Sequence, residues 1–218
     1  MKNKGELILK NVLIIGAHYD DTELGAGGTA AKLVQNGANV YKLTLTDNVT
    51  KSSHLHINVE YETSVRESAK ACEVLGIKEI TEFAPVPCTK LVYSTEMMQA
   101  IEDILYKYEI DTVFMHYLDD LNQDHIEASK LCLTAARHCR NVFYYQSNLY
   151  LPPHQFTPTY FVDISDYIEL KKEALFQYTG DHNRNSALFQ TNIERNHIWG
   201  YSNKVEYAEG FMVQKYLD

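Results

Sequence analysis

Four apolar residues in a row, Val12-Leu13-Ile14-Ile15, run into Gly16-Ala17 and then into a crowd of ionisable groups: His18, Asp20, Asp21 and Glu23. The run does not alternate with polar residues, so both of its faces must be covered, which is the pattern of a strand inside a parallel sheet. The stretch that follows, Leu24-Gly25-Ala26-Gly27-Gly28-Thr29-Ala30-Ala31, is rich in small residues and suits a helix lying close on that sheet. Open α/β sheets bind ligands at the carboxyl ends of their strands, where residues 18–21 would sit. The cluster has two readings. It is a helix start, with Asp21 or Thr22 capping and Glu23 in the first turn. Or it is half of a metal site, since imidazole and carboxylate suit zinc or another divalent ion, with one aspartate left over as a base.

The same rhythm continues along the chain. Further strands are expected at 39–46, 77–83, 111–116 and 141–146, and helices at 26–36, 61–75, 93–108 and 124–139. Gly37 and Gly76 end two of these helices. Val65, Ala69, Cys72 and Leu75 mark the apolar stripe of the second, and Met97, Ile101, Ile104, Leu105 and Tyr108 that of the third. The polar stretch after Asp47, through His54 and His56, reads as a mobile loop at the same sheet edge. Beyond 147 the texture changes to a loop at 151–158, a strand at 159–164, a helix at 166–178, a polar connection at 181–186, a helix at 187–199 and a terminal strand at 205–213. The first strand has room to begin as early as Leu7. The fold class expected is α/β, a Rossmann-like, mostly parallel sheet with helices on both faces, in one domain spanning 1–218.

A second polar cluster, Asp119-Asp120-Leu121-Asn122-Gln123-Asp124-His125, opens the helix after strand 111–116. Loops at the carboxyl ends of parallel strands gather on one edge, so the two clusters can meet. His18, Asp21 and His125 are the expected metal ligands, with positions left for water and substrate. The plain alternative makes His125 a helix-start residue bonded to a nearby carboxylate. His116, at the end of the strand, is placed to orient a ligand or touch substrate. His154, His182 and His197 are expected at the surface or behind the site.

Bulk properties exclude other classes. A formal charge of -9 with no basic stripe argues against nucleic acid and anionic lipid as partners. No apolar run is long enough for a membrane span, and the basic Met1-Lys2-Asn3-Lys4 start is not followed by a small-residue cleavage site. The four cysteines make no tight pair and read as reduced and structural, which favours a cytoplasmic protein. The 16 tyrosines suit a polar pocket or a contact between copies, so a homo-oligomer is open.

Together, Ala17-His18-Tyr19-Asp20-Asp21-Thr22-Glu23, Arg66-Glu67, Asn122-Gln123-Asp124-His125 and Ala208-Glu209-Gly210-Phe211 resemble the LmbE-like, or PIG-L, family of zinc-dependent sugar N-deacetylases. The order and spacing of these motifs span nearly the whole chain. The resemblance implies that His18, Asp21 and His125 bind Zn2+ (or another divalent transition metal) and that Asp20 is the general base toward a zinc-activated water. It implies an N-acetylated amino sugar as substrate, free, nucleotide-linked or part of a glycoconjugate. Asp124 would support a ligand from behind, and Arg66 would contact substrate. Two residues depart from the family pattern. Tyr19 stands where proline is usual, and its ring is expected beside the pocket. Asn122 stands where many members have a histidine, as in a subgroup with Asp-Leu-Asn-x-Asp-His; an asparagine donates a hydrogen bond but carries no proton. Asp20 would then shuttle both protons, or His116 or His182 would fill the gap.

Three rivals remain. A dinucleotide-binding protein is disfavoured, because the glycine spacing after the strand is wrong and the acidic cluster would repel a pyrophosphate. A hydrolase of another N-acyl small molecule would use the same residues. A catalytically impaired metal-binding homologue would hold Asp20 away from water.

Overall fold

In the computed structural model, which describes residues 9–53, 57–179 and 183–217, strand β1 (Asn11–Gly16) is buried at every position after Asn11. Val12 and Ile14 enter one hydrophobic core and Leu13 and Ile15 the other, on the opposite face of the sheet. Successive side chains of a strand point to opposite faces, so covering both faces requires the unbroken apolar run seen in the sequence.

The elements follow in order: α1 (Asp21–Gln35), β2 (Asn39–Thr44), β3 (Thr50–Ser52), β4 (Ile57–Val59), α2 (Tyr61–Leu75), β5 (Lys78–Glu79), α3 (Thr95–Lys107), β6 (Thr112–His116), α4 (Gln123–Ala135), β7 (Asn141–Tyr145), β8 (Tyr160–Asp163), α5 (Ile168–Phe176), α6 (Asn183–Ser202) and β9 (Ala208–Lys215). Seven strands form one sheet in the order β5-β2-β1-β6-β7-β9-β8. The first five are parallel, and β9 runs antiparallel to both β7 and β8. Residues of α1, α2, α5 and α6 pack on one face and residues of α3 and α4 on the other. No helix among the described residues is long and apolar enough to cross a membrane.

Several expected boundaries move. The stretch after Asp47 holds an antiparallel hairpin, β3 with β4, rather than an open loop; His54 and His56 lie outside the described residues, as does the proposed extension of β1 to Leu7. On α2 the buried positions include Ser64, Glu67, Ser68 and Ala71, while Ala69 faces solvent. The fourth helix ends at Ala135 and tightens into a 3-10 turn at Ala136–His138. β9 begins later than expected, because its extent follows its pairing with β7 and β8.

Helix α1 starts at Asp21 and breaks at Ala26, where φ is -148° and ψ is 20°. The break frees backbone amides inside the protein. The carboxylate of Glu209 takes them up, accepting from Gly28 N–H at 3.0 Å and Thr29 N–H at 2.7 Å, and Lys171 Nζ donates to the same carboxylate at 2.7 Å. The small residues of α1 let it lie this close: a Cβ added at Gly25 would overlap the ring of Tyr145. The Tyr145 hydroxyl in turn donates to the Ile15 carbonyl at 2.7 Å, tying β7 to the end of β1.

Candidate metal centre and active site

The loop between β1 and α1 is held from below by a lysine. Lys42, fully buried on β2, donates to the Tyr19 carbonyl and to Glu23 Oε1, the latter at 2.8 Å. The Tyr178 hydroxyl donates to the same carbonyl at 2.9 Å. Burial opposes the charge on Lys42, but the Glu23 carboxylate outweighs it and holds the ammonium well above its ordinary pKa. This anchor fixes the backbone from which His18, Asp20 and Asp21 project.

His18 and Asp21 meet His125, in the first turn of α4, on the sheet edge that the parallel topology defines. His18 Nδ1 lies 3.1 Å from His125 Nε2. Asp21 places Oδ2 at 3.3 Å from His18 Nδ1 and Oδ1 at 3.3 Å from His125 Nε2. Donors about 2.0–2.2 Å from a tetrahedral zinc are separated by roughly 3.3 Å, so the spacing suits such an ion. The second nitrogen of each ring faces a carboxylate: His18 Nε2 is 3.3 Å from Asp124 Oδ2 and His125 Nδ1 is 3.1 Å from Asp120 Oδ2. Carboxylates there hold the N–H and turn the other lone pair inward, the arrangement that orients histidine toward a metal. The donor set therefore fits a divalent cation such as Zn2+.

Burial opposes charge on His125, but Asp21 and Asp120 outweigh it and push its pKa up to about 9. The same balance, with Asp124 and Asp21 as the opposing groups, holds His18 well above the ordinary imidazole value. Burial alone would raise Asp21; its neighbours His125 and His116 hold it well below the usual carboxylate range.

Asp20 behaves differently. It lines a cavity of about 550 Å³ together with His18, Asp21, Asn122, Asp124 and His125. Burial, followed by the charge of Asp21, raises its pKa. Among the described residues no lysine or arginine lines the cavity. Asn122 caps α4, its Oδ1 accepting from Asp124 N–H at 2.9 Å, which leaves its NH2 as the group it can offer a ligand.

Three expected placements need correction. His116 is buried and outside the cavity lining. Its Nε2 lies 3.1 Å from Asp21 Oδ2, and its ring stacks on His125 at 4.0 Å between centroids. Burial and the adjacent His125 depress its pKa to about 4. Its Nε2 also accepts the Ala17 N–H at 3.0 Å, so the neutral ring sits behind Asp21 rather than at the cavity wall. Tyr19 turns its ring into the core beside Lys42, because an apolar ring is better covered there than in a polar cavity. Arg66 is exposed on the outer side of α2 and bonds Thr63 Oγ1 at 3.3 Å, one turn away and outside the cavity. His182 lies outside the described residues.

The family model for PIG-L, GlcNAc-PI de-N-acetylase, matches residues 13–136. The chain belongs to the PIG-L family. A diacetylchitobiose deacetylase of Thermococcus kodakarensis is 31% identical to it over 186 residues, covering 77% of this chain and 68% of that protein. The N,N′-diacetylchitobiose deacetylase of Pyrococcus horikoshii superposes with a TM-score of 0.80 at 23% identity, over 95% of this chain and 84% of that one. The 4-carboxy-2-hydroxymuconate hydratase of Pseudomonas putida superposes with a TM-score of 0.81 at 20% identity, over 96% and 98% of the two chains. Likeness at these identities shows the fold alone. Family membership and the donor cluster make this PIG-L member a metal-dependent hydrolase of the deacetylase type.

Some residues of this PIG-L site carried no assigned role in the sequence. Asp120 holds His125, and Asn148 Nδ2 donates to Asp120 Oδ2 at 2.9 Å. Ser147 Oγ donates to Asp21 Oδ1 at 2.8 Å. Lys42 and Glu209 were visible as charges inside otherwise apolar strand patterns, which is the signal that could have marked them as buried partners.

Proposed function

We propose that the chain hydrolyses the acetamido group of an N-acetylated amino sugar or sugar conjugate, with Asp20 as general base. The observation that carries this reading is a division of labour among four aspartates. Asp21 belongs to the donor cluster, and Asp120 and Asp124 hold the two imidazoles. Asp20 also lines the cavity and, unlike the other three, has no side-chain hydrogen-bond partner among the described residues. A zinc ion held by His18, Asp21 and His125 would supply Lewis acidity, activating water and polarising the amide carbonyl.

The raised pKa of Asp20 brings its basicity toward the working pH, as a general base requires. Asp20 takes a proton from the attacking water and is placed to return one to the leaving nitrogen. Asn122 donates a hydrogen bond through its NH2 and carries no proton. Asn48 and Thr50 offer partners for sugar hydroxyls, and Tyr150 offers a ring face. A wall with three aspartates and no described lysine or arginine favours a neutral glycan over a phosphorylated or nucleotide-linked one. Exposed Tyr201 and Tyr216 are candidate contacts for self-association, and four unpaired cysteines fit a cytoplasmic location.

The test is acetate release from N-acetylglucosamine, its β-1,4 dimer, a nucleotide-linked form and N-acetyl amino acids, with metal content measured in parallel. Neutral sugars are expected to react fastest. Asp20→Asn is expected to keep its metal and lose about 10²- to 10⁴-fold in kcat. Normal turnover by that variant removes Asp20 as the base. Faster turnover of N-acetyl amino acids than of any sugar would favour the wider N-acyl hydrolase reading.

A further inference from the structure

Cys88 stands apart from the other three cysteines. Cys72, Cys132 and Cys139 are buried, whereas Cys88 is partly exposed and lines the cavity. Its Sγ lies 3.7 Å from Asp124 Oδ2, the oxygen that also sits 3.3 Å from His18 Nε2. One ligand atom each from His18, Cys88 and Asp124 falls within 4.8 Å of the others. Asp124 is 1% exposed, and its Oδ2 is the oxygen turned toward both His18 and Cys88.

The position of Cys88 is fixed on both sides. Its own N–H donates to Asp47 Oδ1 at 2.8 Å. Thr89, a β-branched residue at φ +67°, donates its N–H to Asp124 Oδ2 at 2.7 Å. A β-branched residue avoids positive φ unless its surroundings impose it. The thiol is thus held at this wall rather than free to wander.

We propose that Cys88, Asp124 and Nε2 of His18 form a second metal site, joined to the His18–Asp21–His125 cluster through the ring of His18, that takes soft divalent cations and inhibits the enzyme when filled. Thiolate, imidazole and carboxylate together make a zinc-type donor set, and the thiolate selects Zn2+ or Cd2+ over Mg2+ or Ca2+. His18 offers Nδ1 to the first site and Nε2 to the second, so its ring becomes a bridge. The protons on Sγ and Nε2 leave to solvent. Occupation inhibits for two reasons: Asp124 is drawn away from orienting His18, and the ion with its waters stands in the cavity facing Asp20.

The test is a Cd2+ titration of the enzyme carrying one equivalent of zinc. A sulfur-to-cadmium charge-transfer band in the ultraviolet is expected to saturate at one equivalent, with acetate release falling in step, while Mg2+ does neither. The first cluster contains no sulfur, so cadmium exchange there gives no band. In Cys88→Ser, and in wild-type protein whose accessible thiol is blocked with iodoacetamide, the band should vanish. The inhibitory concentration in both, each scaled to its own uninhibited rate, should rise about tenfold or more. A wild-type protein without the band, or an unchanged band in Cys88→Ser, overturns the site; a band without inhibition overturns its regulatory role. The band is read without turnover, so it is decided even if the amino-sugar reading fails.

Discussion

Each imidazole at the site works through a carboxylate on its far side. Asp120 is held by the Asn122 N–H at 2.8 Å and by Asn148, and this fixes which nitrogen of His125 keeps its proton. Asp120→Asn is expected to weaken zinc binding about 10- to 100-fold, measured by chelator competition, because the amide no longer supports the ring with a charge. Unchanged affinity would mean that His125 is oriented by packing alone. At this scale the members of the donor cluster were legible, since two imidazoles and an aspartate at helix starts past sheet strands have few other uses. Asp120 was not. Its neighbour Asp119 has the same chemistry and bonds His154 at the surface at 2.8 Å, and only the path of the backbone separates the two. Tyr19 and Arg66 were misread for the same reason: residue type says what a side chain can touch, not which way its Cα turns it.

Helix α1 shows what an element can hide. Its apparent start at Ala26 in the sequence coincides with an internal break, and the turn before it begins at Asp21, a member of the donor cluster. The break is tolerated because Glu209, some 180 residues downstream, caps it and is itself paired with Lys171 in a fully buried ion pair. Burial keeps Lys171 below its ordinary pKa even with Glu209 beside it. Glu209→Ala is therefore expected to cost about 3–5 kcal/mol in urea denaturation, since it leaves both a buried ammonium and two amides unpartnered. Replacing the pair together, Lys171→Met with Glu209→Leu, should recover part of that loss. A single variant as stable as the parent would contradict the capping role. The helices α2 and α3 were legible nearly to the residue, because Gly76 adopts φ +71° after one and Ser94 caps the other. The β3–β4 hairpin was not, because its strands are three residues each and pair only with each other.

The whole molecule brings residues about a hundred positions apart to one edge through its parallel strands, and the donor cluster therefore couples metal binding to folding. His125 has a pKa of about 9 in the folded, metal-free protein against an ordinary value of 6.5. Its charged form stabilises the fold fully below pH 6.5, and that contribution is lost as pH rises through about 9. Asp21 acts in the opposite sense: its contribution is present above the ordinary carboxylate pKa and lost as pH falls through its lowered value. Metal binding needs His125 Nε2 free of its proton, so affinity climbs over the window in which the metal-free protein weakens. The difference in melting temperature between zinc-loaded and chelator-treated protein is expected to widen from pH 6.5 to pH 9. A constant difference would show that His125 is not titrating against the metal.

The most direct measurement is anomalous X-ray diffraction at the zinc edge from crystals of the protein loaded with one equivalent of zinc. The expected result is a single peak bonded to Nδ1 of His18, Nε2 of His125 and the carboxylate of Asp21, with Asp20 beside it and unligated. A peak at any other group of residues, or one that takes Asp20 as a ligand in place of Asp21, would contradict the division of roles on which the mechanism depends.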